Sequence, residues 1–269
     1  MTIPKFQKAI LRWYKMNRRD MPWRETKNPY KILVSEIMLQ QTQVSKKKKK
    51  YQEFLSAFPT ITAVARAKKP EVLRVWSGLG YWRRALCLQE NAKKILREHK
   101  GIFPKDPEAL DALPGIGHYT ARALACFAFN NDDAFLDTNI RKVFLHFFFA
   151  KRRKVSDQEI LKLAQKAVWR KNPKEWHYAL FDYGAVALKD RSINKRSRHY
   201  TKQSTFEGSF RSFRAKVMHF LLEQRSKKAH AKKLHLFLQK EKSPYSPEQV
   251  LESLLKDNLI RKKENSYLL

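Results

Sequence analysis

Glycine, cysteine and long apolar runs are all scarce in this chain. Only 7 of its 269 residues are glycine, which indicates few tight turns and favours a helical fold. Its 2 cysteines, Cys87 and Cys126, cannot supply the four ligands of a structural zinc site or an iron–sulfur cluster, so we expect reduced thiols and no metal. The chain has no run of about 18 apolar residues and no apolar N-terminal leader, so we expect neither a membrane span nor a signal peptide.

Acidic residues are few compared with basic ones. The chain has 57 Lys and Arg against 25 Asp and Glu, a formal net charge of +32. This excess is spread along the chain and repels itself in a compact fold, so a polyanionic partner is expected. Nucleic acid is the usual polyanion, because each phosphate that a protein neutralises releases counterions. Adaptation of a whole proteome to high pI is the alternative explanation.

The sequence pattern changes twice along the chain, which predicts three segments. Apolar periodicity and capping signals predict a multi-helix domain over residues 1–187, beginning with a helix near 3–18. Residues 188–209 are polar and basic, which is typical of a linker or an ordered loop. Residues 210–269 predict helices near 210–224, 229–240 and 247–257, followed by two short strands. We therefore expect a mainly α fold with a small C-terminal α+β domain, either a winged helix or a generic cap.

A glycine-containing turn lies between two helical patterns at residues 113–120, Leu-Pro-Gly-Ile-Gly-His-Tyr-Thr. Gly115 and Gly117 allow a sharp turn and a close approach by another group. The second helix begins at Gly117, so the amides of its first turn, which includes His118 and Thr120, are directed at whatever lies beyond it. This geometry suits a DNA phosphate and reads no base. An ordinary turn between helices is the alternative.

Two acids stand in unusual surroundings. Glu36 lies in an apolar and amide-rich helical segment, and Asp137 follows the apolar residues 134–136 at a helix start. Taken singly, Glu36 is a surface or buried acid and Asp137 is a helix cap. Together with the turn, they suit cleavage of an N-glycosidic bond, which needs a proton for the leaving base and negative charge beside a cationic sugar. We expect Glu36 to hold a proton among its apolar neighbours and Asp137 to stay ionised at the helix N-terminus.

Four motifs resemble the MutY-type adenine glycosylases of the helix-hairpin-helix superfamily. They are SEIMLQQTQV (35–44), GLGYWRRA (78–85), LPGIGHYTARA (113–123) and LDTNIRKV (136–143). The resemblance spans residues 5–187 in the order of that family. It implies the helix-hairpin-helix glycosylase fold with two lobes and base flipping on double-stranded DNA. It also implies monofunctional removal of adenine opposite 8-oxoguanine or guanine in base excision repair. We expect a monomer in the nucleoid-associated cytoplasm.

The resemblance assigns roles to the residues around the two acids. Glu36 matches the acid that protonates the adenine ring nitrogen, and Asp137 matches the residue that stabilises the sugar cation, with Asn139 beside it. Tyr119 is implied to hydrogen-bond Asp137. Related bifunctional enzymes carry a Schiff-base lysine where Tyr119 stands, so no strong β-lyase activity is expected. The family's glycine between the matched Asp and Asn is Thr138 here.

Further residues are implied to contact the base and the DNA. Trp23 and Arg24 match a stretch that lines the base pocket, although Trp23 equally suits core packing. Tyr178 stands near the adenine, where the family often has Gln or Glu. Gln41 and Tyr81 match residues that wedge into the stack beside the oxidised guanine.

The chain departs from the family after residue 184. The family there carries four cysteines that ligate a [4Fe–4S] cluster, whereas Leu188 stands at the first of these positions and residues 188–209 contain no cysteine. No cofactor is therefore expected, and the basic loop is a candidate for binding phosphate directly. The segment from about residue 210 does not resemble the domain that recognises 8-oxoguanine. Two alternatives stay open, a thymine or uracil glycosylase of the same fold and a non-catalytic DNA-binding protein.

Overall fold

The computed structural model describes residues 1–40, 47–202 and 205–269, and helices dominate it. The α-helices are α1 (Ile3–Asn17), α2 (Pro29–Leu39), α3 (Lys47–Ala57), α4 (Ile61–Arg66), α5 (Lys69–Trp76), α6 (Arg83–His99), α7 (Pro107–Asp111), α8 (His118–Phe129), α9 (Thr138–Phe148), α10 (Asp157–Lys166), α11 (Pro173–Asp182), α12 (Phe210–Glu223), α13 (Ala231–Lys240) and α14 (Pro247–Lys256). The strands are β1 (Lys228–His230), β2 (Arg261–Lys263) and β3 (Ser266–Leu268). The mainly α class is confirmed. None of the described helices combines the length and the apolarity that crossing a membrane requires.

Local capping signals explain where several helices begin. The Ser156 hydroxyl accepts from the Glu159 amide at 3.2 Å, and the Glu159 carboxylate accepts from the Ser156 amide at 3.0 Å. Ser246 and Gln249 form the same reciprocal pair at the start of α14. Each pair satisfies amides that a helix leaves unbonded at its first turn. The sequence predictions of these two helix starts are confirmed.

The chain divides into two compact units, and both are discontinuous in sequence. The first unit comprises Met1–Glu36 and Phe103–Lys202, and the second comprises Ile37–Ile102 and Gln203–Leu269. This division differs from the predicted boundaries, which placed residues 1–187 in one domain and 210–269 in another. The reason lies in contacts between the C-terminal segment and residues 69–82. The His219 ring packs edge-on against Trp82, and Lys69 Nζ donates to the Asn258 carbonyl at 2.8 Å.

The core of the first unit is aromatic. Phe6 of α1 is fully buried and meets four other rings at centroid distances of 5.0 to 5.6 Å. Those rings belong to Phe144, Phe147, Phe148 and Trp176. Edge-to-face contacts of this kind add to the burial of apolar area. They hold α1, α9 and α11 together, and these helices form the frame of the candidate site.

The C-terminal part of the second unit has the element order α12, β1, α13, α14, β2, β3. Its strands form one antiparallel sheet in the order β1-β3-β2, with Ala229 and Lys262 both paired to Tyr267. The small C-terminal α+β region is confirmed, and its assignment as a winged helix stays a prediction. The sequence pattern missed β1, because residues 228–230 gain strand structure only by pairing with β3, close to forty residues later in the chain.

Candidate active site

Glu36 is a buried acid on α2. Its residue is 4 % exposed, and neighbours on the same helix, Leu33 and Ile37, are buried almost completely. The Tyr119 hydroxyl of α8 donates to Glu36 Oε2 at 2.9 Å. Burial of a carboxyl is costly without such a partner. Placement of Glu36 among apolar side chains agrees with the sequence analysis.

Tyr119 connects the two acids electrostatically. Burial, followed by the charges of Glu36 and Asp137, raises the pKa of Tyr119 well above its ordinary value. The phenol therefore stays protonated and acts as a donor. The structure thus places Tyr119 against Glu36 and within the electrostatic influence of Asp137. The resemblance implied a hydrogen bond from Tyr119 to Asp137. In the structure the Tyr119 hydroxyl donates to Glu36 instead.

Asp137 caps α9. Its Oδ1 accepts from the amides of Asn139 (2.9 Å) and Ile140 (2.7 Å), and its Oδ2 accepts from the Asn139 side-chain amide (2.9 Å). Burial raises the pKa of Asp137, although these three donors work to lower it. The N–H donors at the helix start favour the charged form, whereas desolvation, the larger effect, opposes it. Asn139 thus acts on Asp137 directly, beside it as expected.

Gly184 permits a close backbone approach to Asn139, the residue that donates to Asp137. A Cβ at this position would lie 2.4 Å from the Asn139 carbonyl oxygen. Only glycine allows the turn at Tyr183–Ala187 to come so close to the first turn of α9. The sequence analysis did not single out this residue. Its signal was the glycine in the otherwise helical segment Asp182-Tyr183-Gly184.

Stacked rings surround the phenol and its acid. Phe135 packs edge-on against Tyr119 and stacks on His177 with 4.1 Å between centroids. Phe127 stacks on Tyr178 at 4.3 Å. Burial lowers the pKa of His177 to about 4, so its ring is neutral, and burial together with the charge of Glu36 raises that of Tyr178 well above its ordinary value. The charge of Glu36 therefore acts on Tyr178, and the place of Tyr178 in a base pocket stays a prediction.

Arg24 supports this region from within the core. Its guanidinium donates to both oxygens of Asp182 at 2.7 and 2.8 Å and lies 4.6 Å from the centre of the Tyr178 ring. Asp182 also accepts from Arg19. Arg24 was expected in the base pocket, but the structure makes it part of a buried ion pair beneath Tyr178. Trp23 is buried too, which favours the core-packing interpretation.

The turn at residues 113–120 has the predicted geometry. Gly115 has φ +69°, a conformation that favours glycine, and Gly117 caps α8. The first amide bonded back within the helix is that of Ala121, to the Gly117 carbonyl. His118 is exposed and bonds Arg122. The Thr120 side chain is 3 % exposed, so its predicted contact with a phosphate stays a prediction for the backbone amide.

The second unit carries Tyr81, whose role as a wedge stays a prediction. Tyr81 has φ +46°, unusual for a non-glycine residue, and its hydroxyl accepts from Arg211 of α12. The carbonyls that accept from the Arg84 guanidinium include those of Ile37, Met38, Gln40, Leu79, Gly80 and Tyr81. Arg84 thus ties the loop at residues 79–81 to the end of α2. The sequence analysis did not single out this residue. Gln41, the other predicted wedge residue, lies outside the described residues.

The segment after residue 184 does not fit an iron–sulfur cluster. Residues 188–209 contain no cysteine, and Cys87 and Cys126 lie in α6 and α8. Lys142 Nζ donates to the buried Leu188 carbonyl at 2.6 Å, Ile193 is buried, and Val155 bonds both Arg196 and Arg198 through the backbone. Within the described ranges, no group of three or more His, Cys, Asp or Glu side chains is arranged to hold a metal.

Comparison with known proteins agrees with this architecture. The chain is 47 % identical over 135 residues to an adenine DNA glycosylase of Mycobacterium tuberculosis, covering 50 % of this chain and 44 % of that protein. It is 37 % identical over 191 residues to one from Buchnera aphidicola, covering 69 % and 54 %. It thus spans about half the length of these curated relatives.

A solved structure and a family model also match this architecture. The structure of a thermostable thymine-DNA glycosylase superposes with a TM-score of 0.65 at 28 % identity, covering 70 % of this chain and 89 % of that one. The family described as HhH-GPD superfamily base excision DNA repair protein matches residues 34–170. Half of the chain lies in that match, and the helices, the turn and the acid pair lie where the motifs predicted. This chain belongs to the HhH-GPD superfamily of base excision DNA repair proteins.

Proposed function

We propose that this protein is a monofunctional DNA glycosylase that removes adenine mispaired with 8-oxoguanine or guanine. The observation that carries the proposal is the pair of acids around one protonated phenol, with Tyr119 bonded to Glu36 and Asp137 fixed by three N–H donors. Relatives named adenine DNA glycosylase support the choice of base. The net charge of +32 supports duplex DNA as the substrate.

The geometry suggests how the bond breaks. Glu36 donates its proton to a ring nitrogen of the extruded adenine, so the electrons of the C1′–N9 bond leave with a neutral base. Tyr119 bonds one carboxyl oxygen and orients the other. The Asp137 carboxylate stabilises the positive charge that develops on the sugar. Water then adds to C1′ and gives up a proton, which the Glu36 carboxylate takes back, leaving an abasic site.

Three further features belong to the proposal. Tyr119 offers no amine for a Schiff base, so strand cleavage by β-elimination is absent or weak. The segment 188–209 lacks cluster ligands, so the enzyme works without iron, and its exposed Arg191 and Lys195 bind phosphate directly. The protein acts as a monomer on DNA in the nucleoid-associated cytoplasm.

Single-turnover base release tests the proposal. Duplexes carrying A opposite 8-oxoguanine, G, C or T are compared with T and U opposite G. We expect adenine release from the first two and none from T:G or U:G. Glu36→Gln should lower the rate by about 10²- to 10⁴-fold while leaving binding unchanged. Wild-type release with Glu36→Gln contradicts the mechanism, and tight binding without release of any base supports a non-catalytic DNA-binding protein.

Thymine or uracil opposite G is the second candidate. The thymine-DNA glycosylase that superposes on 70 % of the chain supports it, as does Tyr178 at a position where adenine enzymes often carry Gln or Glu. The same substrate panel separates the two candidates. Release of T or U with intact A:G would select the second.

A further inference from the structure

The two faces of the C-terminal sheet differ in burial at β1 and β3, although Lys262 of β2 is exposed on the face of Tyr267 and Ser266 is 9 % exposed on the other. In β1, Ala229 is buried while Lys228 and His230 on either side of it are exposed. Tyr267, the β3 partner of Ala229, is buried as well. Because side chains alternate along a strand, Lys228 and His230 lie on the face opposite Ala229 and Tyr267. We call that face the open face.

Strand register collects basic side chains on the open face. Lys228 and Arg261 both pair with Leu268, and His230 and Lys263 both pair with Ser266. Four exposed side chains therefore flank the central strand β3: Lys228, His230, Arg261 and Lys263. No acidic residue occurs within the three strands. Strand spacing separates the two sides by roughly 10 Å, and residues two apart along a strand by roughly 7 Å. We name these four residues the basic sheet face.

The helix expected to read DNA has the opposite charge. In a helix-turn-helix arrangement the second helix enters the major groove, and α14 occupies that place here. Its exposed residues include Glu248 and Glu252, which phosphates would repel. Burial first, and then the charges of these two acids, raise the pKa of Tyr267. Both acids therefore act on Tyr267, which lies on the side of the sheet opposite the basic sheet face.

Positive charge extends from the basic sheet face to a neighbouring lysine. Burial, followed by the charge of Arg261, lowers the pKa of Lys69 to about 8. Lys69 Nζ is anchored on the Asn258 carbonyl just before β2. The exposed side chains of the strands are thus basic, whereas α14 exposes Glu248 and Glu252 beside one lysine, Lys256. A duplex that approached α14 would meet two acids and one cation, whereas one that approached the strands would meet basic side chains alone.

We propose that the basic sheet face binds the backbone of duplex DNA and that α14 is not inserted into the groove. This winged helix then adds affinity without reading sequence, because cations that meet phosphates carry no base information. The inference rests on the proposed function only in taking duplex DNA as the substrate, and it gives the C-terminal domain a contact of its own.

Charge-matched double variants test the proposal. Arg261→Ser with Lys263→Ser removes two cations from the basic sheet face. Lys240→Ser with Lys256→Ser removes two exposed cations from the helices of the same domain and keeps the net charge equal. Affinity for a fluorescent duplex, undamaged or carrying an uncleavable abasic analogue, is measured by anisotropy across a salt series. Lys228→Ser with Lys263→Ser repeats the test on different strands if the first pair does not fold.

We expect the sheet variant to lose about tenfold in affinity and its salt slope to fall by about 2, while the control changes by less than about twofold. Equal losses in both variants, or no loss in either, would overturn the proposal. Glu248→Gln with Glu252→Gln should leave affinity unchanged, and a clear gain would place α14 against DNA instead. None of these binding measurements requires release of a base. If the protein releases no base but its affinity still depends on the basic sheet face, the proposed function is wrong and the proposal for the sheet stands.

Discussion

Two carboxylates of the first unit have pKa values that are shifted in opposite directions. Asp182 is fully buried and pairs with Arg24 and Arg19, and hydrogen bonds and charge from Arg24 bring its pKa below the usual range despite burial. Asp137 has three N–H donors from its own helix, and burial raises its pKa. The difference is the one expected between a structural acid, Asp182, and the catalytic acid that we propose at Asp137. The fold stabilises the charge of Asp182, whereas burial opposes the charge of Asp137, and a cationic sugar beside Asp137 would offset that cost.

The largest expected effect is on stability at Asp182. Asp182→Asn leaves the Arg24 guanidinium buried without its counter-charge, and we expect the free energy of unfolding to fall by about 3–5 kcal/mol. Urea denaturation followed by circular dichroism measures the loss. Asp157→Asn is the matched control, because its ion pair with Arg141 is partly exposed and should contribute less than about 1 kcal/mol. Equal losses of unfolding free energy in Asp182→Asn and Asp157→Asn would mean that burial does not increase the contribution of an ion pair to stability.

The two acids should also differ in the sign of their pH dependence. The pKa of Asp182 is lower in the folded than in the unfolded chain, so its stabilisation is present above the unfolded value of about 4 and is lost as pH falls through the folded value. For Asp137 the folded pKa is raised. The wild type therefore loses stability relative to Asp137→Asn as pH rises above about 4, through the folded value.

The next effect is on catalysis at Asp137. Asp137→Asn keeps an effective helix cap but removes the charge beside the sugar, so adenine release should slow by about 10²- to 10³-fold. Stability at neutral pH should be equal to that of the wild type or higher, since desolvation of a carboxylate is relieved. Single-turnover rates and urea denaturation at pH 7 measure both. If Asp137→Asn released adenine at the wild-type rate and were less stable than the wild type, Asp137 would be a structural acid like Asp182.

A smaller effect is expected from substitution of Gly184, which lies against the backbone of Asn139. Gly184→Ala forces the Asn139 backbone to move, because the new Cβ would lie 2.4 Å from its carbonyl oxygen. We expect a loss of about 1–3 kcal/mol in stability and a slower release of adenine through displacement of Asp137. Ala185→Ser at the exposed next residue is the control. Unchanged kinetics in Gly184→Ala would show that the approach of the two backbones does not position the acid.

How much of this site the sequence predicted depends on the range of each contact. Glu36, Asp137 and the turn at Gly115 lie in local motifs, so their identity and backbone setting were predictable. The partner of Tyr119 was not, because its bond to Glu36 spans 83 residues and depends on how α2 and α8 pack. The same holds for Arg24, whose pairing with Asp182 spans 158 residues. Charge alone suggested DNA binding, but only strand register showed where the cations of the C-terminal domain collect.

The smallest predicted effect tests whether the C-terminal domain takes part in the reaction. Arg211 of α12 donates to the Tyr81 hydroxyl, and its guanidinium lies 5.7 Å from the centre of that ring. Since Tyr81 occupies a left-handed conformation, this contact should hold the wedge in place before DNA arrives. Tyr81→Phe and Arg211→Met should each slow adenine release opposite 8-oxoguanine by roughly fivefold, about 1 kcal/mol.

The double variant of Tyr81 and Arg211 should be no slower than either single one, because both substitutions remove the same hydrogen bond. Lys216→Met is the control on the same helix, where the lysine pairs with Glu241 and contacts Phe213. It should release adenine at the wild-type rate. Additive losses at Tyr81 and Arg211 would mean that the two residues act separately. The winged helix would then contribute to DNA affinity alone, and the strained tyrosine would depend on Arg84 and its own loop.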